Sequence, residues 1–203
     1  MQIKLQKKGE KTPTSIPLQE FESTFHIIYR PELVFPSKDI QQEVSNNCPY
    51  LLRNRWIASE YYDWNKVWPT QKDAPIYIKW IDPTMGYGVF AEEDIEAGTC
   101  IGEYTGVVRR LFRNHPDHNA YCFHYPTRLW SWKYFAIDAL HEGNFTRFIN
   151  HSDTPNLNPS CLIKDRILHL VFIANRRILK GSQLTFSYGE DYWMKRQKHK
   201  LRA

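Results

Sequence analysis

The sequence predicts a mainly β domain with a partly helical N-terminal region. From residue 76 onward the apolar runs have the length of single strands and are separated by Gly, Pro, Asn and Asp. Helix-like spacing of apolar residues is confined to residues 36–67. The chain has no internal repeat and no G-x-G-x-x-G between a strand and a helix. A parallel nucleotide-binding sheet and a helical bundle are therefore both disfavoured.

The N-terminal region is expected to be a loose arm followed by helix. Residues 1–20 are polar and carry Pro13 and Pro17, which predicts an arm without regular structure. Ser37 stands where a helix N-cap is expected, before "KDIQQEV", and the spacing predicts helix over residues 36–67. Nothing in this region suggests chemistry.

The strands are predicted in order from residue 76. "IYIKWID" alternates apolar and polar residues, "PTMGYG" is a turn, and "VFA", "CIGEYTGVV", "AYCFHY" and "KYFAIDA" each have strand length. "CLIKDRILHLVFIA" predicts a hairpin about residues 164–166, and "SQLTFSY" predicts a last strand.

Composition favours one intracellular globular domain. The chain has 203 residues, of which 42% are hydrophobic and 15% aromatic, which suits a single sizeable core. No run approaches the roughly 20 apolar residues of a membrane helix, and the first residues lack the apolar segment of an export signal. The four cysteines form no C-x-x-C pair, so we expect reduced cysteines and no zinc knuckle.

The net charge of +5 comes from the C-terminal end. The tail "KRQKHKLR" holds five Lys and Arg and no acid, and the rest of the chain balances at 22 basic against 22 acidic residues. A neutral body argues against a general nucleic-acid clamp. The tail is either a solvated terminus, a contact for phosphates or an acidic partner, or a nuclear address.

Three groups of residues are candidates for a site, although each also has an ordinary structural reading. The polar run "RFINHSDTPN" (147–156) is either a capped turn or a site, and five glycines crowd into residues 86–106. Tyr87, Tyr104, Tyr121 and Tyr188 are either satisfied strand-edge phenols or the walls of a polar pocket. G-x-S-x-G and H-E-x-x-H are both absent. Composition and spacing alone indicate only a β-rich domain with a polar turn.

Read together, four segments resemble the signature motifs of the SET domain, the fold of a large class of protein lysine methyltransferases. "GYGVFA" and "GEYTGVV" are similar to its first two motifs. "FTRFINHSDTPNL" is similar to R-F-I-N-H-S-x-x-P-N, and "GSQLTFSYG" resembles G-E-E-L-T-F-D-Y-G. The resemblance covers about residues 76–193 and implies several short β-sheets with a threaded, pseudoknot-like C-terminal segment. We therefore divide the chain into an N-terminal arm and helical flanking region (1–75), a SET domain (76–189), and an aromatic closure with a basic tail (190–203).

The resemblance implies a protein-lysine N-methyltransferase that uses S-adenosylmethionine and releases S-adenosylhomocysteine. Tyr188 and Tyr104 would be the catalytic residues. The residues at the cofactor would be Gly86, Tyr87, Gly88, Tyr121, Arg147, Asn150, His151, Tyr188 and Trp193. The substrate channel would be lined by Tyr104, Phe186, Tyr188 and Tyr192. An apolar channel and a nearby sulfonium lower the lysine pKa from about 10.4, so no strong base is needed.

Two positions of the motifs bear on product and closure. Phe186 falls where the family sets product specificity, and a Phe there implies that di- or trimethylation is allowed. Asp153 stands where many members have a zinc-ligating Cys, and no Cys follows Cys161. We therefore expect no metal, and an aromatic closure by Tyr192 and Trp193 instead.

The expected partner is a protein with a lysine-containing basic tail, either a histone or a histone-like protein. Nucleic acid would be touched at most through the basic C-terminal tail, no membrane is expected, and a homodimer is compatible with the neutral, aromatic-rich body. The expected location is the nucleus or chromatin, of its own or a host cell, and otherwise the cytoplasm. Two alternatives stay open: a catalytically silent SET-like module that binds protein or chromatin, and a methyltransferase of a non-histone protein.

Overall fold

The computed structural model describes residues 1–53, 74–112, 119–125 and 133–193, without the side chains of residues 47–53, 112, 133, 134 and 191. Within these ranges most of the regular structure is short strand. The strands are β1 Gln2–Gln6, β2 Thr14–Pro17, β3 Ile28–Tyr29, β4 Ile76–Asp82, β5 Gly86–Ala91, β6 Cys100–Glu103, β7 Val107–Phe112, β8 Cys122–Tyr125, β9 Lys133–Asp138, β10 Glu142–Gly143, β11 Asn150–His151, β12 Leu157–Lys164, β13 Ile167–Ala174 and β14 Thr185–Phe186. The helices are α1 Leu18–Phe25, α2 Lys38–Arg53, a 3₁₀ helix Phe145–Phe148 and α3 Glu190–Trp193.

The strands of the described residues form five small sheets. Their orders are β2-β1-β4-β5, β12-β13-β6, β7-β9-β8, β10-β3 and β11-β14. The pairs β1–β4, β10–β3 and β11–β14 are parallel, and the remaining pairs are antiparallel. This architecture confirms the predicted mainly β class.

The prediction of a loose arm over residues 1–20 is wrong. Ile3 and Ile16 are buried between exposed neighbours, and Leu5 is buried after the exposed Lys4, so β1 and β2 present an apolar face to the core. β1 then pairs in parallel with β4, with Leu5 opposite Ile78. The prolines do not interrupt this, because Pro13 precedes β2 and Pro17 ends it.

The helix predicted from Ser37 is confirmed over its first part. The Ile40 amide donates to Ser37 Oγ at 3.3 Å, and α2 follows as Lys38–Arg53. Arg110 of β7 donates to Glu43 of α2 at 2.7 Å, which holds the helix against the β7-β9-β8 sheet. The rest of the predicted helix, residues 54–67, lies outside the described residues.

The hairpin predicted about residues 164–166 is confirmed. β12 and β13 pair along their full lengths, and Asp165 and Arg166 join them with φ of 50° and 63°. Two consecutive positive φ values are the conformation of a type I′ turn, whose twist matches that of the two strands. The segment "CIGEYTGVV" instead divides into β6 and β7, and the last predicted strand is reduced to the two residues of β14.

The core runs between the sheets and is aliphatic and aromatic. Its largest fully buried side chains include Phe21 of α1, Tyr125 of β8, and Phe135 and Phe172. The Tyr125 hydroxyl donates to the Leu168 carbonyl at 2.5 Å, so the buried phenol is satisfied. Cys100 is also buried, and burial raises the pKa of its thiol to about 11. Among the described helices none is long and apolar enough to cross a membrane.

Candidate functional site

The polar run that follows the 3₁₀ helix lies beside the last strand. β11 pairs in parallel with β14, with Asn150 opposite Thr185 and His151 opposite Phe186. Asn156 extends the pairing: its Nδ2 donates to the Gln183 carbonyl at 2.8 Å, and its Oδ1 accepts from the Thr185 amide at 2.9 Å. The run is therefore more than a capped turn, because it holds the segment that carries Phe186 and Tyr188.

Tyr188 is fixed by two hydrogen bonds to that polar run. Its hydroxyl donates to the Ile149 carbonyl at 3.0 Å, and its amide donates to His151 Nδ1 at 3.1 Å. Burial raises the pKa of the phenol well above its usual value of 10, and neighbouring Tyr192 and Tyr121 raise it further. The side chain is therefore a neutral phenol at physiological pH.

Tyr104, just beyond β6, has a matching arrangement. Its hydroxyl donates to the Tyr121 carbonyl at 2.7 Å, and its amide donates to the Leu170 carbonyl at 2.7 Å. Burial raises the pKa of this phenol well above 10, and Tyr188 adds to the shift. Both tyrosines thus direct their protons to main-chain carbonyls, which leaves the phenol oxygens with lone pairs that can accept.

A continuous set of aromatic rings joins the two tyrosines. Phe172 lies 6.2 Å from Tyr104 and 4.7 Å from Phe186, and Phe186 lies 4.8 Å from Tyr188. Phe123 of β8 packs beside this set of rings, with its centroid 5.3 Å from Tyr104 and 5.7 Å from Phe186. Phenol oxygens surrounded by aromatic rings suit a lysine amine that gives up its hydration shell, because the rings exclude water and the oxygens can accept hydrogen bonds from the amine.

Helix α3 places two more rings on Tyr188. Tyr192 lies edge-on to Tyr188 at 4.6 Å, and Trp193 stacks on it at 6.0 Å with an interplanar angle of 11°. Trp193 also lies 4.9 Å from His151. The two residues that the sequence proposed as an aromatic closure therefore stand directly against the proposed catalytic tyrosine.

His151 links Asp153 to Tyr188. Since His151 Nδ1 accepts from the Tyr188 amide, the proton of a neutral ring sits on Nε2, which lies 3.2 Å from Asp153 Oδ1. The ring is buried, whereas the Asp153 side chain is largely exposed. Asp153, at the position where many members of the family that the sequence resembles have a zinc-ligating Cys, thus orients the histidine.

The glycine-rich strand β5 meets the polar run at Gly88. A Cβ on Gly88 would lie 2.6 Å from Gln183 Nε2, 2.8 Å from Ile81 Cδ1 and 3.1 Å from Asn150 Nδ2, so three side chains pack closely against this glycine. Asn150 Nδ2 donates to the Tyr87 carbonyl at 3.1 Å. Gly86 has a φ of +70° and serves the turn before β5.

Tyr87 differs from the other predicted cofactor residues because its ring packs against the N-terminal helix. Its ring packs 4.9 Å from Phe25 of α1, 5.1 Å from Trp80 and 6.4 Å from Phe148. The ring therefore joins the strand to the N-terminal helix, and it is the carbonyl of Tyr87 that reaches Asn150.

Arg147 is held by the main chain and a ring. Its guanidinium lies 4.0 Å from the centroid of Tyr121 and donates to the carbonyls of Ala139 at 2.8 Å and Leu140 at 3.1 Å. Burial lowers the pKa of Arg147 below its usual value. This arrangement fixes Tyr121, whose carbonyl accepts the hydrogen bond from the Tyr104 hydroxyl.

The structure adds three residues that the sequence interpretation missed. Asn156 and Gln183 join the polar run to the segment before β14. Both lie inside the quoted motifs, so their place in those motifs was the signal that could have identified them. Asp138, at the end of β9, accepts from Arg109 Nε at 2.6 Å, Asn119 Nδ2 at 2.7 Å and the Leu140 amide at 3.0 Å. Asp138 therefore fixes the loop that carries Tyr121, a role without a sequence signal of its own.

Comparison with known proteins gives one family. The family model described as "SET domain" matches residues 86–189, just over half of the chain. A putative histone-lysine N-methyltransferase of Arabidopsis thaliana, ASHH4, is 38% identical over 110 residues, which are 51% of this chain and 30% of that protein. The H3 lysine-36 specific histone-lysine N-methyltransferase of Saccharomyces cerevisiae is 39% identical over 137 residues, which are 63% of this chain and 18% of that protein.

Solved structures with a similar arrangement have low overall TM-scores. KRYPTONITE in complex with DNA, an H3(1–15) peptide and SAH gives a TM-score of 0.47 at 32% identity, over 58% of this chain and 24% of that one. Arabidopsis thaliana SUVH6 with SAM gives 0.48 at 28% identity, over 57% of this chain and 28% of that one. This chain spans less than a third of the length of each of these relatives.

Proposed function

This chain belongs to the SET domain family, and from that premise we propose that it is a protein-lysine N-methyltransferase that uses S-adenosylmethionine. The relatives named above are histone-lysine N-methyltransferases, which supports the activity. The observation that carries the proposal is the pair of buried phenols, Tyr104 and Tyr188, held in one aromatic cluster with both protons directed to carbonyls.

The residues around Gly88 fit the amino-acid end of S-adenosylmethionine. Two side-chain amides, of Asn150 and Gln183, meet beside this glycine, and Asn150 is held by the Tyr87 carbonyl. Asn150, His151 and Gly88 would hold the cofactor, with Trp193 and Tyr188 adjacent to His151. When bound, S-adenosylmethionine supplies a methyl group on a positively charged sulfur, which passes to the lysine nitrogen with release of S-adenosylhomocysteine.

Tyr104 and Tyr188 position the lysine amine. Their oxygens accept its N–H groups, which directs the remaining lone pair along one line, and positioning of this kind supplies much of the rate of a displacement. The surrounding rings disfavour the ammonium form and lower the lysine pKa from about 10.4. Neither phenol acts as a base, because the pKa of each lies above 10. The amine proton leaves to water.

The degree of methylation is set by the space near Phe186. Its ring is buried among Phe172, Phe123 and Tyr188, and the Phe186 side chain itself has no polar atom that could hold a water beside the amine. We propose that the enzyme can add a second and a third methyl group.

The proposed substrate is a lysine in the basic tail of a histone or histone-like protein. The names of the relatives support a histone, and action on chromatin in a nucleus follows from that choice. The basic C-terminal tail, residues 195–202, lies outside the described residues and remains a predicted docking arm or address.

Transfer of a labelled methyl group tests the function. Purified protein is incubated with radiolabelled S-adenosylmethionine and, separately, recombinant histones, histone-like basic proteins and cell lysate. We expect label on lysine of a basic protein, and Tyr188→Phe should reduce the rate at least about 100-fold, because it removes a group that orients the amine. Tyr77→Phe, on β4, is the matched control and should retain full activity.

Binding of S-adenosylhomocysteine, measured by calorimetry, separates the alternatives. Tyr188→Phe should bind it nearly as well as the original protein, which shows that the loss of rate is not a loss of folding. Absence of labelled product with every substrate class, together with absence of binding, would instead favour a silent protein-binding module. Label on non-histone proteins alone would favour a methyltransferase of a non-histone protein.

A further inference from the structure

The carboxylate of Asp138 joins three segments near Tyr121. Its Oδ2 accepts from Arg109 Nε of β7 at 2.6 Å, and its Oδ1 accepts from Asn119 Nδ2 at 2.7 Å and from the Leu140 amide at 3.0 Å. The Asp138 side chain is 20% exposed, and hydrogen bonds to a charged acceptor are shorter and stronger than those between neutral groups. The carboxylate therefore holds β7, the residues before β8 and the loop after β9 in one arrangement.

Asn119 connects this carboxylate to the main chain of Tyr121. Its Nδ2 donates to Asp138, and its Oδ1 accepts from the Tyr121 amide at 2.9 Å. Asp138 offers acceptors and the Tyr121 amide offers a donor, so the side chain between them must donate at one end and accept at the other. A carboxamide does both, whereas Asp at position 119 would place two carboxylates face to face and Leu would make neither hydrogen bond. The residue type at position 119 is therefore matched to the two groups that it joins.

The carbonyl of Tyr121 is held as well as its amide. It accepts from the Ala139 amide at 2.9 Å, and Ala139 directly follows Asp138 in the chain. The same carbonyl accepts from the Tyr104 hydroxyl at 2.7 Å. Because Tyr104 is buried, solvent offers its hydroxyl little alternative to this carbonyl. The direction of the Tyr104 hydroxyl thus depends on how residues 138 and 139 hold both main-chain groups of Tyr121.

We propose that Asn119 and Asp138 are positioning residues of the methyl transfer, which orient the Tyr104 hydroxyl through the main chain of Tyr121. The inference rests on the proposed function, because it gives these residues an effect on the tyrosine that positions the lysine amine. Loss of either side chain lets the Tyr121 carbonyl shift, and the Tyr104 oxygen then loses its fixed direction toward the amine. A displacement of about 1 Å in such a group lowers a rate by up to about 100-fold.

Steady-state kinetics of Asn119→Leu test the assignment. Rates are measured with radiolabelled S-adenosylmethionine and recombinant histone, or with the basic protein that accepts label if histone does not. We expect kcat to fall about 10- to 100-fold, because the orientation of the amine matters in the transition state, while KM and the affinity for S-adenosylhomocysteine stay within about 3-fold. Asn119→Asp keeps an acceptor for the Tyr121 amide but cannot donate to Asp138, so its kcat should fall as well.

A double-mutant cycle with Tyr104→Phe separates positioning from a general structural role. The Tyr104→Phe protein has no hydroxyl to orient, so adding Asn119→Leu to it should lower kcat by less than about 3-fold. Equal losses from Asn119→Leu in both backgrounds, or its full activity, would overturn the inference and leave the proposed function standing. Full activity of Asn119→Asp would overturn the role of Asp138. Absence of methyl transfer by the unaltered protein would overturn both proposals.

The control is Asn46→Leu, the same chemical change at an exposed position of α2, which should alter neither kcat nor the affinity for S-adenosylhomocysteine. Thermal unfolding of each variant shows whether a loss of rate reflects misfolding. If Asn119→Leu does not fold, Asn119→Asp with and without Tyr104→Phe supplies the same comparison.

Discussion

At the residue scale, the site depends on main-chain carbonyls that receive phenol protons. The Ile149 carbonyl accepts a hydrogen bond from the Tyr188 hydroxyl, and the Tyr121 carbonyl accepts one from the Tyr104 hydroxyl. Each carbonyl is itself held: the 3₁₀ helix leads directly into residue 149, and Arg147 stacks on the Tyr121 ring. The two oxygens are thereby fixed as acceptors, which is the property that an amine nucleophile requires.

The number of methyl groups that are transferred should depend on a single oxygen atom added to the side chain at position 186. In Phe186→Tyr the added hydroxyl can hydrogen-bond a water or the amine, so the space for a second methyl group is reduced. We expect the product to shift toward monomethyl-lysine, whereas the original protein yields dimethyl- or trimethyl-lysine. Mass spectrometry of the methylated substrate distinguishes these states.

Monomethyl product from the original protein, with no change in Phe186→Tyr, would contradict this proposal. Tyr77→Phe again serves as control for the assay. The Phe186→Tyr protein should still bind S-adenosylhomocysteine, because the side chain of residue 186 packs on the rings of Phe172 and Tyr188, and its carbonyl can still accept from the Ser152 amide.

At the element scale, the short strands are placed by close main-chain approach. β6 and β7 are separated by three residues, of which the last is Gly106, and the Gly106 carbonyl accepts from the Val34 amide at 2.9 Å. A Cβ on Gly106 would lie 2.4 Å from the Asp138 carbonyl oxygen, which belongs to main chain and cannot move aside independently. β7 and β9 start their pairing at this point, with Val107 opposite Asp138. The glycine therefore sets the distance between these strands.

Gly106→Ala should destabilise the domain. The clash forces main chain at Asp138 to shift, and overpacking of this kind lowers the free energy of unfolding by about 1–3 kcal/mol. Thermal and denaturant unfolding measure the loss. Ser15→Ala, at an exposed position of β2, is the control and should change stability by less than about 0.5 kcal/mol. An unchanged unfolding midpoint in Gly106→Ala would contradict this prediction, because it would show that the main chain of β9 can shift without loss of stability.

At the scale of the whole molecule, the N-terminal strands belong to the same sheet as the glycine-rich strand. β1 pairs with β4, which pairs with β5, so the sheet connects residue 2 to Gly88. Helix α1 packs Phe25 on Tyr87 and on Phe148, at 4.9 and 4.7 Å. The N-terminal region therefore supports both β5 and the 3₁₀ helix that precedes Asn150.

Leu5→Ala tests this connection. Leu5 is fully buried opposite Ile78, and truncating a buried leucine lowers the free energy of unfolding by about 2–5 kcal/mol. For a domain of this size each kcal/mol lowers the melting temperature by about 2–4 °C. We expect a single cooperative unfolding transition at a lower melting temperature, which scanning calorimetry measures.

Leu179→Ala provides the matched control, since Leu179 is 59% exposed and should tolerate the same change. A melting temperature for Leu5→Ala equal to that of the control would mean that the N-terminal strands contribute little to the stability of the rest.

Local sequence determined the parts that depend on near neighbours. Alternation along residues 76–82, the turn at residues 164–166 and the cap at Ser37 each follow from interactions within a few residues, and all were predicted. The order of the four motifs gave the family and most of the candidate site. Alternation of Ile3 and Leu5 was also present in the sequence, although the polar residues around them led to the incorrect prediction of a loose arm.

Only the tertiary structure decided which distant groups meet. Gln183 reaches Gly88, the Tyr104 hydroxyl reaches Tyr121, and Arg147 reaches the loop after β9, because each contact depends on how separate sheets pack. Hydrogen-bond partners of this kind are chosen by the position of main-chain groups far along the chain, which periodicity cannot specify. The sequence by itself thus determined the family and the residue types of the site, and packing between sheets determined the use of each side chain.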